Sequence, residues 1–151
     1  MQKHMTSIWR SSRSIFVSLI LLLAPLSFAQ AEVFTFDGFT SDIILNADGS
    51  FDVVEMIEVN FTEERHGIFR SIPTLYSEDE ATDRLIKITN VTVSDASGTE
   101  IESLVTDDGW TNIRIGSPDV TVIGPQTYVI NYHVDRALLR FETFDELYWN
   151  V

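Results

Sequence analysis

Three groups of residues in this chain carry side chains that could do chemistry. The first is Asn46, Asp48, Ser50, Asp52 and Glu55, which surround Gly49 with oxygen donors. In the register of the calcium-binding loop of twelve residues, Gly49 takes position six and Glu55 position twelve, where a turn glycine and a bidentate carboxylate are needed. Ile44 then falls at position one, which calls for an aspartate, and the flanking segments alternate like strands rather than helices. A hairpin turn with a solvated acidic rim is the simpler account. Asp48, Asp52 and Glu55 are kept as the metal candidates.

The second group is His66 and Arg70, on either side of Gly67-Ile68-Phe69. A guanidinium can grip a carboxylate or a phosphate through two parallel N–H donors, which makes these two a candidate ligand pocket. The structural alternative is that Gly67 forms a tight turn and Arg70 neutralises a carboxylate such as Glu55. The alternative is favoured, because a chain with so few cations needs its arginines for neutralisation.

The third group is Glu142, Asp145 and Glu146 near Trp149. A glycosidase needs two carboxylates at a set separation, and an indole can stack on a sugar ring. Neighbouring residues of a strand, however, face opposite ways. Trp149 is kept as a ligand-binding candidate and the carboxylates are read as solvated. His66 and His133 stand at unrelated spacing, which gives no basis for a histidine metal site or a catalytic triad. No residue is assigned a catalytic role, and no cofactor is expected.

The elements that must position these groups alternate with a period of two. Asp42 to Leu45 is a short apolar run, and Asn46 to Ser50 is a turn with Gly49 free to take positive φ. Phe51, Val53, Ile57, Val59 and Phe61 then share one face of a long strand, with Glu55 as the single polar intruder. This predicts a β-hairpin. Thr62 to Arg65 reads as a polar break. Pro73 confines the segment from His66 to an edge or an end. Tyr76 to Asp83 reads as a loop or one helical turn. Strands are expected at Leu85–Val93, Glu100–Thr106 and Trp110–Ile115, with Ile113 and Ile115 on one face. Others are expected at Val120–Ile123 and, after a Gly124-Pro125 break, at Thr127–Val134. Phe141–Phe144 is ambiguous, and Leu147–Val151 begins something strand-like. Seven or eight short strands at this spacing predict an all-β fold, an antiparallel β-sandwich with immunoglobulin-like layers, with a closed barrel as the alternative. The chain stops inside a strand, which predicts a fragment of a longer protein.

Composition narrows the function. The 151 residues contain no cysteine, which excludes thiol catalysis and cysteine-ligated metal sites. All 23 acidic residues lie beyond residue 31, against only seven cations, Arg65, Arg70, Arg84, Lys87, Arg114, Arg136 and Arg140. Nucleic acid is not expected as a partner, because binding it requires clustered cations that replace counterions. At the other end, Lys3, Arg10 and Arg13 precede the apolar run Ile15–Leu26, and Ala29-Gln30-Ala31 offers a small-x-small cleavage site. That run is about 12 residues, short of the roughly 20 that span a bilayer. Residues 1–31 are therefore read as a signal peptide and 32–151 as one extracytoplasmic domain.

The run Asn46–Glu55, the block His66-Gly67-Ile68-Phe69-Arg70-Ser71-Ile72-Pro73, the segments Ile113–Gly116 and Thr127–Tyr132, and the closing Asp145–Val151 together resemble one family. It is the family of bacterial predicted membrane proteins defined by domain of unknown function 2207, in its N-terminal extracytoplasmic domain. The resemblance implies an exported β-rich domain followed by further strands and by transmembrane helices outside this sequence. It implies no catalytic residues. The reading that follows is a non-catalytic module of a membrane-anchored envelope protein, on the periplasmic or extracellular side, presenting a surface to another envelope protein or to a cell-wall component. The rival is an envelope carbohydrate-active enzyme using paired carboxylates.

Overall fold

The computed structural model describes residues 33–77, 83–147 and 149, and the reading of residues 1–31 lies outside them. Alternation sets the two longest central strands. In β2 (Phe51–Arg65) the residues Phe51, Val53, Glu55, Ile57, Val59 and Phe61 are buried while Asp52, Met56 and Glu58 are exposed. In β9 (Val122–Asp135) Tyr128, Ile130, Tyr132 and Val134 are buried in the same way. These strands pair with each other and carry β1 (Phe34–Leu45) and β6 (Lys87–Ser94) on their outer sides, in the antiparallel order β1-β2-β9-β6.

A second antiparallel sheet has the order β3 (Ile68–Pro73), β8 (Trp110–Ile115), β7 (Ser103–Asp107). Its Ile72, Ile113 and Ile115 are fully buried and join the apolar residues of β2 and β9 in one core. Each such side chain contributes about 1.5–3 kcal/mol through burial. Two small ribbons complete the described fold, β4 (Leu75–Ser77) with β5 (Asp83–Leu85) and β10 (Leu138–Arg140) with β11 (Asp145–Leu147). The all-β sandwich expected from the alternation is the observed architecture. No helix among the described residues is long and apolar enough to cross a membrane.

The hairpin around Gly49 forms as expected, with Gly49 at φ 92° and Leu45 paired with Phe51. Pro73 ends β3, an edge strand of its sheet. Four expectations are corrected. Strand β1 begins at Phe34, well before Asp42; most of its side chains are exposed, so the sequence there shows no clean alternation. Strand β2 runs through Thr62–Arg65, because a polar strand end can project beyond the core. Of Tyr76–Asp83, Tyr76 and Ser77 end a strand and Asp83 begins the next, not a loop or a helical turn; residues 78–82 lie outside the described residues. Lastly, Gly124-Pro125 does not break β9. Pro125 pairs with Asn60 of β2, while β6 pairs with β9 only from Val129 onward. Proline lacks the donor for a second ladder, and no second ladder is present there.

Candidate functional site

Glu55 is the only charged residue on the buried face of β2, and it is fully buried. A buried carboxylate must be paired and hydrogen-bonded. Arg70 of β3 supplies the pairing through a fork, with Nε donating to Oε2 and Nη2 to Oε1, both at 2.7 Å. The Tyr132 hydroxyl of β9 donates to Oε1, also at 2.7 Å. The hydrogen bonds to Glu55 raise the Arg70 pKa further, and burial, followed by the Glu55 charge, raises that of Tyr132. The Arg70 guanidinium also lies 5.8 Å from the centre of the Phe39 ring. This cluster bolts the second sheet to the first. Both Glu55 oxygens are engaged within it, and the remaining Arg70 Nη1 donates to the Ser71 carbonyl at 3.0 Å, so Arg70 makes the pairing with Glu55 that the structural alternative predicts.

His66 separates from Arg70 and lies on the outside. The chain crosses from the first sheet to the second at His66-Gly67, and crosses back just after Ile115-Gly116. These two crossings touch. Gly67 sits at φ 128° with its absent Cβ aimed at the Ile115 carbonyl oxygen, and Gly116 at φ 111° with its absent Cβ aimed at the His66 carbonyl oxygen. No side chain fits in either position, so glycine is required twice. A cleft of ≈ 210 Å³ opens beside them, lined by His66, Gly67, Phe69, Arg114, Gly116 and Pro118 among others. His66 Nδ1 donates to the Val120 carbonyl at 3.0 Å, which fixes the ring and turns Nε2 to the other side.

Arg114 is the residue the sequence reading passed over. Ile113 and Ile115 point inward on β8, so Arg114 points outward, and the register sets it between Phe69 of β3 and Leu104 of β7. Its Nε is buried without a hydrogen-bond partner among the described residues, and no carboxylate there stands within ion-pair distance of it. The alternation of Trp110–Ile115 was signal enough to place Arg114 outside. Nothing in the sequence showed that it would lie beside His66.

The candidate metal oxygens diverge. Asp48 Oδ1 accepts from the Ser50 backbone at 3.0 Å and from the Ser50 hydroxyl at 2.7 Å, bonds that hold its carboxyl below the usual range. Asp52 accepts from His133 at 2.7 Å and from Asn46 at 3.1 Å, and its pKa falls for the same reason. Glu55 lies on the opposite face of β2 from Asp52. No group of three acidic or histidine side chains is placed to hold a metal among the described residues.

Trp149 packs edge-on against Phe51, with ring centres 5.2 Å apart, and at 6.3 Å from Tyr132. It is partly buried and packs at the margin of the core. Glu142, Asp145 and Glu146 are exposed around the β10–β11 ribbon.

Residues 35–151 match the family model described as the N-terminal domain of a predicted membrane protein, DUF2207. No curated protein matches the chain.

Proposed function

The chain belongs to the DUF2207 family of predicted membrane proteins and carries its N-terminal domain, and from this premise we propose that it is an exported, non-catalytic binding module. The apolar run before Glu32 directs it out of the cytoplasm, and a part of the protein outside this sequence holds it at the membrane. The working surface is the outer face of the sheet β3-β8-β7. The observation that carries this reading is the row Phe69, Arg114, Leu104 across that face. Phe69 is 76% exposed and Leu104 51%, and both flank a cation without a partner among the described residues. Trp110 extends the face and is half exposed. Aromatic side chains beside an arginine are the composition of interaction surfaces, where such residues supply most of the binding energy. An envelope protein or a cell-wall component is the partner.

Two experiments test the parts separately. A phosphatase reporter that matures only in an oxidising compartment, fused after Val151, is expected to be active with residues 1–31 and inactive without them. Activity in both fusions, or in neither, overturns export. A photo-reactive residue placed at position 69 in cells is expected to capture a partner, and the same residue at Lys87 on β6 is not. Equal capture at both positions, or none at 69, removes this face as the binding surface.

A further inference from the structure

We infer that the cleft between His66 and Arg114 is a binding site for a carboxylate carried on an apolar body. This deepens the reading above and rests on it for the location of the surface, although the chemistry is argued from the cleft alone. A guanidinium N–H left buried and unpaired loses its hydration with nothing to replace it. Arg114 bears that loss at Nε, in a domain where carboxylates outnumber cations more than threefold and none of the described ones reaches it. Glu102 illustrates the point. It immediately precedes β7, two residues before Leu104, with its backbone carbonyl accepting from the Gly116 amide, and makes no ion pair with Arg114.

The rest of the cleft selects the ligand. Ile68, Phe69 and Pro118 are its apolar lining residues, and the paired glycines add no side chains to it. His66, pinned through Nδ1, has Nε2 as its free ring nitrogen. A phosphate would need several donors, and Arg114 is the one guanidinium among the residues lining the cleft. A carboxylate needs two parallel N–H groups, which an arginine provides, and its apolar remainder covers Phe69 and Pro118. The acidity of the whole domain does not prevent this. Charges beyond about 8 Å are screened at physiological salt, while a partly buried contact pair is screened much less.

The test is a titration of the whole chain, kept in solution with a mild detergent, followed by the backbone amide signals of Gly67 and Gly116 and by the Arg114 side-chain Nε–H signal. The probes are N-acetyl-leucine, its neutral relative N-acetyl-leucinamide, and inorganic phosphate. N-acetyl-leucine is expected to shift all three signals and to bind at least tenfold more tightly than either other probe. Arg114→Gln is expected to abolish the preference for the acid, Arg114→Lys to weaken it, and Lys87→Gln to leave it unchanged. Dispersed amide signals in each variant show that the fold survives. Equal binding of acid and amide overturns the proposal, as do phosphate binding as tightly as the acid, shifts located away from the two glycines, or full binding by Arg114→Gln. A failed titration with capture still seen at position 69 removes the carboxylate and leaves the module. Loss of capture with a positive titration removes the module and leaves the site.

Discussion

Arg70 and Glu55 show how much one residue's surroundings dictate. An acid in the middle of an apolar strand face demands a buried cation, and that demand was readable because Glu55 interrupts Phe51, Val53, Ile57 and Val59 at the inward parity. Tyr132 as the third member was not readable, since an inward tyrosine reads equally well as packing. Removing one partner of such a pair strands the other. Glu55→Gln is therefore expected to lower stability by about 3–5 kcal/mol, a large fraction of the 5–15 kcal/mol typical of a domain. Replacing the cluster together by Glu55→Leu, Arg70→Met and Tyr132→Phe is expected to leave stability equal or higher in urea denaturation, because the desolvation cost disappears with the charges. A triple variant as unstable as Glu55→Gln would mean the charges themselves hold the sheets together. On the other face, Asp52 and His133 are directly paired across strands. The bond to Asp52, helped by the nearby Asp135 and Asp48 charges, raises the His133 pKa, and that of Asp52 is lowered. The histidine contribution is complete below about pH 6.5 and is lost as pH rises through the raised value. The aspartate contribution is complete above about pH 4 and is lost as pH falls through the lowered value. The difference in melting temperature between the parent and His133→Asn should peak near pH 5 and shrink by pH 8, where a constant difference would contradict the pairing.

Strands raise a different question, which is what covers each face. The hairpin β1–β2 was legible at its turn and along β2, where burial forces alternation. It was not legible along β1, the outermost strand of its sheet, whose inward residues Phe36, Phe39, Ile43 and Leu45 stay substantially exposed. Burial, rather than hydrophobicity, thus decides the energetic weight of a position. Phe36→Ser is expected to change stability by less than about 1 kcal/mol, whereas Ile57→Ala, on the adjacent strand, should cost about 2–5 kcal/mol in the same denaturation assay. The continuity of β9 through Pro125 was hidden for a related reason: periodicity does not reveal which edge of a strand is paired. The two crossings at Gly67 and Gly116 give a sharper case. Each was visible as a glycine in a motif, and only the fold shows that the two press on each other. Gly67→Ala and Gly116→Ala should each destabilise by more than about 2 kcal/mol, combining positive φ with a collision against backbone. Gly98→Ala is the control, with φ 86° and open space around it, and should cost about 1 kcal/mol. Equal losses at all three glycines would show that conformation alone matters and that the crossings are not in contact.

Over the whole domain, charge outweighs any single pair. Seven cations face 23 carboxylates, and among the described residues the cations are partly committed. Arg70 serves Glu55, Arg65 pairs with Glu63, Arg140 binds the Asp48 carbonyl, and Arg84 binds the Ala137 carbonyl while resting 5.6 Å from the Tyr76 ring. The excess acid can only repel itself, and the compact state suffers more from that repulsion than the unfolded chain. Added salt screens exposed charges and leaves a buried pair nearly untouched. Stability should therefore rise with ionic strength, by about 4 °C or more in melting temperature between 0.02 and 0.3 M sodium chloride, equivalent to roughly 1 kcal/mol for a domain of this size. The same screening weakens exposed pairs such as Arg65–Glu63, but these contribute at most about 1 kcal/mol each. The competition between the two effects makes the sign informative. A rise means that the uncompensated carboxylates dominate and that an isolated Arg114 is conspicuous in a surface otherwise built to repel anions. A fall would mean that surface pairs hold the domain together, and Arg114 would then be one more cation in a balanced network.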